Sequence, residues 1–464
     1  MYVSRVSVQD IKSFNGPRQV DLRLTRPDGT HAGWTVLAGR NGAGKTTLLR
    51  AIALALSGPV VARGLVPGFD NWVAHGTGGG SVELEITRDA EYDRFTHGRP
   101  PAGPFEAGLL WTVPPDSGPD GRSSGRRGAQ PSLEEITYTA AVSSNARRGP
   151  WADNPVGWFC AAYGPFRRMA GGSGEVQRLM LASGPVARLA SLFHEDASLA
   201  EGVAWLIEQH LRALEGRAGA AVLKNMALAI LQDGLLPDGY RVIDVDSEGL
   251  WVERDGIRFP LREMSDGFRT VAALVVDILK QIHDTFGDAL VADAGEGLLF
   301  NRVPGIVIID EIDAHLHVSW QRRIGSWLTT HFPNIQFIVT THSPYVCQSA
   351  DPGGLVRLPG VDEEDRPEVV GEDLYERVVY GSGDDAVLSD LFGLDTPYSE
   401  RAERKRGELV ALEMEMLRGH ADAETADRHR QLKRLLTSSP TARLDEMSAR
   451  LKDLADDEQK DPPR

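Results

Sequence analysis

Residues Gly39-Arg-Asn-Gly-Ala-Gly-Lys-Thr46 fit the spacing G-x-x-x-x-G-K-[ST] without a mismatch. The flanks narrow what the chain can be. Trp34-Thr-Val-Leu-Ala38 is apolar and partly β-branched, which predicts a buried strand. Thr46 to Leu56 carries Leu48, Leu49, Ile52, Ala53 and Leu56 at the spacing of one helix face, and Gly58-Pro59 predicts its end. A strand, a glycine turn and a helix start aim several backbone N–H groups at one point, where the helix dipole adds positive potential. A phosphate suits that point. The residues expected to cradle a nucleotide are Gly39, Arg40, Asn41, Gly42, Ala43, Gly44, Lys45, Thr46 and Thr47. Lys45 would reach the β- and γ-phosphates, and the Thr46 hydroxyl would hold Mg²⁺.

Three later stretches belong to the same chemistry. Gly305-Ile-Val-Ile-Ile-Asp-Glu311 runs four apolar residues into two carboxylates at a strand end. Asp310 is placed to hold Mg²⁺ through water, and Glu311 to polarise an attacking water as general base. Leu261-Arg-Glu-Met-Ser-Asp-Gly-Phe268 opens a long helix at Ser265 and Gly267. Such a start can be an anion cradle, but taken alone it reads more readily as an ordinary N-cap. Thr340-Thr-His-Ser-Pro344 leaves a buried strand, so His342 is a candidate γ-phosphate donor. His315-x-His317 with Asp310 and Asp313 nearby resembles a metal pair, but zinc needs three or four dedicated ligands.

The order of these four pieces resembles the ABC-type ATPases of the SMC/RecF-like branch, over residues 1–60 and 255–350. The implied fold is an α/β ABC-type P-loop head, a mixed sheet with a β-rich lobe and a parallel-sheet lobe. A helical insert and a helical C-terminal tail would be added to it. The resemblance makes Gly39 to Thr46 the Walker A motif and Asp310-Glu311 the Walker B motif. It makes Ser265-Asp-Gly267 the signature that completes the partner head's site, Asp313-Ala-His315 the D-loop and His342 the switch histidine. Asn15 to Arg18 resembles the segment after the first strand that touches the nucleotide. The implied ligands are ATP and Mg²⁺, the implied catalytic set is Lys45, Glu311 and His342, and the implied assembly is a head homodimer or larger homo-oligomer. One departure stands out: the family's Mg²⁺-contacting Gln at the end of the β-lobe is replaced by Tyr163-Gly-Pro-Phe-Arg167. Gln177 lies ten residues further on, in a segment read as helical insert.

Ala162-Tyr-Gly-Pro-Phe-Arg-Arg168, Asp310 to His317 with Trp320-Gln321, and Leu391-Phe-Gly-Leu-Asp-Thr-Pro-Tyr-Ser399 are similar to a narrower group. These are ATPase subunits of bacterial anti-phage systems of the Septu kind, which act with an HNH nuclease. The resemblance implies a switch that controls a separate effector. A RecF-like DNA repair ATPase is an alternative, with nucleic acid as a further ligand. A transporter ATPase subunit is a second, which the missing Gln and the long β-lobe insertion disfavour. No Toprim-like series follows Thr341-His-Ser, so an OLD-type nuclease is not expected.

The chain pattern sets the expected domains. Residues 1–165 form the first part of the head with its β-lobe, and 97–131 a flexible insertion dense in Gly, Pro, Arg and Ser, apart from a strand expected at Gly108-Leu-Leu-Trp-Thr-Val113. Residues 166–238 form the helical insert and 239–350 the rest of the head. Residues 351–464 form an acidic docking region with a disordered end, with Leu391-Phe392 and the stripe Leu409, Leu412, Met416 as anchors. Net charge is −16, and 28 acidic against 17 basic residues lie from Asp351 on, so −11 of it sits there. Charge alone therefore argues against non-specific nucleic-acid binding, leaving Arg122 to Arg127 and Arg147-Arg148 as candidate local patches. The two cysteines, Cys160 and Cys347, sit in strand-like apolar contexts as small core residues, which fits a reducing cytoplasm. No run of about 18 apolar residues suggests a membrane span.

Overall fold

The computed structural model describes residues 1–114, 130–138, 145–167, 174–181, 184–287, 302–394, 396–418 and 422–436. They divide between two units, Met1–Gly393 and Leu394–Arg464. The strands are β1 (Tyr2–Gln9), β2 (Val20–Arg23), β3 (Trp34–Ala38), β4 (Gly79–Thr87), β5 (Phe105–Thr112), β6 (Ser132–Glu135) and β7 (Cys160–Tyr163). They continue as β8 (Arg241–Asp246), β9 (Gly249–Arg254), β10 (Ile257–Pro260), β11 (Gly305–Ile309), β12 (Ile335–Thr340), β13 (Leu355–Arg357) and β14 (Glu368–Val369).

The central sheet has the order β14-β13-β3-β12-β11-β7. All neighbours are parallel except β14 against β13. Every residue of β3, β7, β11 and β12 is buried, as expected of strands covered on both faces. Their alternation divides the core in two. Trp34, Val36, Val307, Ile309, Phe337 and Val339 face one cluster, built with the helices Ala200–Leu214, Ala220–Gln232 and Asp266–Phe286. Leu37, Ile306, Ile308 and Ile338 face the other, built with the helix Lys45–Leu65 and the antiparallel sheet β2-β1-β4-β5-β6. The two sheets are also joined through polar groups. The buried Gln336 amide accepts from Val3 N at 2.8 Å and donates to Val3 O at 2.9 Å. A small antiparallel sheet, β10-β9-β8, precedes the helix Asp266–Phe286. This arrangement is the expected α/β head, with a parallel-sheet lobe and a β-rich lobe.

Several expectations are corrected. The helix after the phosphate loop does not end at Gly58: non-helical backbone there (φ 80°, ψ 170°) kinks it, and it resumes to Leu65. Pro59 has no N–H for the Ala55 carbonyl, and Trp151 Nε1 donates to that carbonyl at 2.9 Å instead. Lys45–Leu65 is apolar and long enough by composition to cross a membrane, but 67% of that stretch is buried within the head. The bulge between Val3 and Arg5 shifts the alternation of β1, so Val3, Val6 and Val8 face inward together. Cys347 lies in the short helix Pro344–Cys347, not in a strand. β6 ends at Glu135, and residues 136–138 after it are not strand.

The head also does not stop at residue 350. β13 pairs with β3, the phosphate-loop strand, and Val378, Ala386 and Leu391 join the core. Leu391 is 1% exposed, so Leu391-Phe392 is not a free anchor. The second unit holds a helical hairpin, Glu400–Leu417 and Ala423–Leu436, joined by Arg428 on Glu408 at 2.7 and 3.1 Å. Val410, Met414, Met416, Leu417 and Leu435 are exposed on it, while Leu409 and Leu412 are half-buried. The 115–129 part of the expected insertion, Arg122 to Arg127, and the tail from 437 lie outside the described residues.

Candidate nucleotide site

Parallel strands bring their C-terminal ends to one edge of a sheet, and helix N-termini follow them there. At that edge β3 delivers the phosphate loop, β11 delivers Asp310 and Glu311, β12 delivers Thr340 to His342, and β7 delivers Gly164 to Arg167. Gly44 caps the helix Lys45–Leu65 with φ +98°, and a Cβ on it would stand 2.6 Å from the Phe14 ring, so only glycine fits. Phe14 belongs to the segment after β1. Arg18, also from that segment and 7% exposed, donates to Ala43 O at 3.2 Å and to Gly360 O. Arg18 therefore braces the phosphate loop by bonding a carbonyl of its backbone.

Lys45 is buried. Its ammonium donates to Gly39 O at 2.8 Å and Arg40 O at 3.0 Å. Burial pushes its pKa down, opposed by the charges of Asp310, Glu311 and Asp313. Thr46 Oγ1 donates to Asp310 Oδ2 at 2.7 Å, and Thr340 Oγ1 donates to Asp310 Oδ1 at 2.5 Å. The same Thr340 oxygen accepts from Glu311 N at 2.7 Å. Glu311 takes φ +47°, a left-handed conformation that costs a non-glycine residue about 1–2 kcal/mol. Asp313 Oδ1 accepts from the Thr341 hydroxyl and, at 3.3 Å, from His342 N. His342 is at the surface of this cluster. Partial desolvation and then the Lys45 charge lower its pKa, so the ring is neutral at neutral pH.

Ser265 sits at the N-cap position of Asp266–Phe286, is exposed, and makes no cap hydrogen bond through its side chain. The ordinary N-cap role is therefore not what its hydroxyl does. Gly267 is required for close approach: a Cβ there would meet His315 O at 2.3 Å. The signature-like start thus lies against the turn that follows Asp313, although Ser265 has no bond to the Thr46–Asp310 cluster. Asn41 and Gly42 are exposed, and Thr47 is partly buried in the first helical turn. Arg40 leaves the loop to donate to Gly393 O at 2.8 Å.

A family profile described as an AAA domain matches residues 5–94, and another, described as "AAA domain, putative AbiEii toxin, Type IV TA system", matches residues 197–348. The chain is 25% identical over 397 residues to the Septu protein PtuA of Bacillus mycoides (strain KBAB4), which is 85% of this chain and 45% of that protein. It is 41% identical over 102 residues to the "Retron Ec83 probable ATPase" of Escherichia coli, 22% of this chain and 17% of that one. The chain is similar to the SMC-like ATPases of defence systems. It spans less than half the length of the curated relatives it matches. An SMC head bound to the C-winged helix domain of ScpA aligns with TM-score 0.44 and 16% identity over 80% of this chain and 98% of that structure.

Around the matched motifs, the donor set suits a hard cation. Thr46 Oγ1 and Asp310 Oδ2 are oxygens already within bonding distance of one another, as Mg²⁺ sites use. No group of three or more His, Cys, Asp or Glu forms another metal site among the described residues. His317 Nδ1 lies 2.9 Å from Ser319 Oγ, at the start of the helix Val318–Gln321. Arg147 pairs with Glu135, and Arg148 is spent on the carbonyls of His97 and Arg99, so these two do not form a free basic patch. Sequence reasoning missed Thr340 and Arg167. Thr340 was visible only as the residue ending β12, and Arg167 only as part of the place where Gln was absent.

Proposed function

We propose that the chain binds ATP with Mg²⁺ at this edge and hydrolyses it between two copies of the head, as a switch read by a separate effector in bacterial defence. The observation that carries this is the Thr46–Asp310–Thr340–Glu311 cluster beside the buried Lys45. Lys45 exchanges the Gly39 and Arg40 carbonyls for β- and γ-phosphate oxygens, and the N–H groups of residues 42–46 receive the remaining charge. Thr46 and Asp310 would hold Mg²⁺, which supplies charge neutralisation on the phosphates when bound. Glu311, with its N–H fixed by Thr340, orients and polarises the attacking water. Neutral His342 donates toward the γ-phosphate. Ser265 and Gly267 of a second copy complete the site, which agrees with an exposed Ser265 side chain free of capping duty.

The Septu and retron relatives support the defence setting; an effector such as an HNH nuclease is what the resemblance to the Septu kind implies, and the exposed hairpin of the second unit is the surface we assign to it. The test is phosphate release from Mg²⁺-ATP by the full chain. Activity that survives Lys45→Ala and Glu311→Gln alike comes from elsewhere and ends this reading. Co-purification with the product of a neighbouring gene tests the effector separately.

A further inference from the structure

The Arg167 guanidinium lies where the chain leaving β7 runs beside the chain leaving β11. Tyr163 pairs with Ile309 across these parallel strands, and Asp310 N donates to Tyr163 O at 2.8 Å. Arg167 is 4% exposed. Its Nη1 donates to Asp310 O at 2.8 Å and Gly164 O at 3.1 Å. Its Nη2 donates to Glu311 O at 2.9 Å and stands 3.5 Å from Ile312 O. The carbonyls of three consecutive residues thus converge on one cation. They converge because Glu311 turns the chain through a left-handed conformation. Left alone, converging buried carbonyls repel one another and lack donors. A planar fork with several donors satisfies them together, which a lysine ammonium on a flexible stem does not. Burial lowers the Arg167 pKa to about 10, with Asp310 the leading opposing charge, so the group stays cationic near neutral pH.

The other side of the same turn is held by Thr340, which binds Glu311 N. The Arg167 carbonyl in turn faces the Thr270 hydroxyl at 3.5 Å, in the first turns of the helix that starts after Ser265. We propose that Arg167 is a positioning residue for Glu311. It clamps the backbone of the Asp310–Ile312 turn so that the Glu311 carboxylate is aimed at the water beside the γ-phosphate. It also ties that turn to the helix beginning at Ser265-Asp266-Gly267. This rests on the reading of Glu311 as the water-polarising group. It assigns a task to the segment that stands in place of the missing Gln, one carried out through main-chain carbonyls rather than on the metal.

The test uses the full chain with Arg167→Lys. Expected are binding of a fluorescent ATP analogue within a few-fold of the parent, KM little changed, and kcat lower by ~10²-fold, the scale of a misplaced catalytic group. In the Glu311→Gln background Arg167→Lys should lower the rate no further, because the group it aims is already lost. A purely structural role predicts additive losses and overturns the proposal, as does a folded Arg167→Lys chain with parental kcat. Hydrogen exchange gives a readout independent of turnover. The amides of residues 310–313 should exchange faster in the variant with nucleotide bound, and unchanged exchange there also overturns the proposal. If the parent binds ATP but releases no phosphate, the ATPase reading fails while the exchange result still decides the clamp. Should the lysine chain not fold, Arg167→Gln, uncharged but able to donate to one carbonyl, is carried through the same comparison.

Discussion

The Thr46 hydroxyl donates to Asp310 Oδ2 at 2.7 Å, joining the first helical turn after β3 to the end of β11. β12 lies between those strands, and its Thr340 donates to the other Asp310 oxygen. Both oxygens of one carboxylate are therefore oriented by hydroxyls before any cation arrives. Such preorganisation predicts a specific defect. Asp310→Asn must turn an amide NH₂ toward Thr46 or Thr340, and it should raise the Mg²⁺ concentration for half-maximal turnover by ~10–100-fold, as loss of an outer-sphere partner does. Titrating Mg²⁺ at saturating ATP measures this. An unchanged midpoint would show that Asp310 has no part in holding the ion.

Glu311 and Lys45 should separate turnover from binding. Glu311→Gln keeps the size and the N–H bond to Thr340 but removes the charge that we propose polarises water. It should bind ATP like the parent and lose turnover by ~10²–10⁴-fold. Lys45→Ala removes the proposed phosphate donor and should weaken binding itself. Equilibrium binding beside single-turnover hydrolysis makes the comparison. A Glu311→Gln chain that hydrolyses at the parental rate is the result that removes Glu311 as the base.

Much of this site was legible because its pieces lie in short contiguous runs. Trp34 to Thr46 and Gly305 to Glu311 each carry strand, turn and candidate side chain together, so periodicity and composition point to the same place. Thr340 and Arg167 were not legible for the opposite reason. Each acts through bonds to a turn that is distant in sequence, and nothing within a few residues of either specifies that partner. The head's extent failed similarly. β13 is three residues long and earns its place only by pairing with β3, more than 300 residues earlier. Its acidic neighbourhood reads as a tail.

Ser265 is exposed and its side chain caps nothing, so Ser265→Arg should leave stability near parental. A lost N-cap would cost about 1 kcal/mol. ATP binding should also persist, while ATP-driven association and turnover are blocked. Mixing Ser265→Arg with Lys45→Ala chains should restore one working site in each mixed pair. Light scattering with ATP and the activity of the mixture report this, and a Ser265→Arg chain that still turns over at the parental rate rules out the role in trans.

Asp277 should make stability depend on pH in a predictable direction. It is 2% exposed, accepts from Tyr163 OH at 2.8 Å, and has its pKa raised from 3.8 to about 6, chiefly by burial. The folded chain therefore holds this proton more tightly than the unfolded chain. The associated stability is full below about pH 4 and is lost as pH rises through about 6, amounting to the order of 3 kcal/mol. Asp277→Asn can still accept from Tyr163 and carries no charge. Relative to the parent it should gain stability between pH 4 and pH 8, as read from paired denaturant melts. A constant difference across that range would mean that Asp277 does not titrate there.

Cutting the chain after Gly393 should leave a folded, nucleotide-binding head. Met1–Gly393 is a unit by itself and contains every residue of the site, including the Gly393 carbonyl that receives Arg40 at 2.8 Å. Cutting four residues earlier, after Ser389, also removes Leu391, whose buried side chain packs in the core. Losing that packing should cost about 2–5 kcal/mol. The two truncations thus separate packing from docking. The chain ending at Gly393 should melt within a few degrees of the parent, bind ATP, and fail to capture the effector that the full chain captures. The chain ending at Ser389 should melt well below both. If the Gly393 chain captures the effector as well as the parent does, the hairpin Glu400–Leu436 is not the docking surface. If that chain is unfolded, the hairpin is part of what holds the head together.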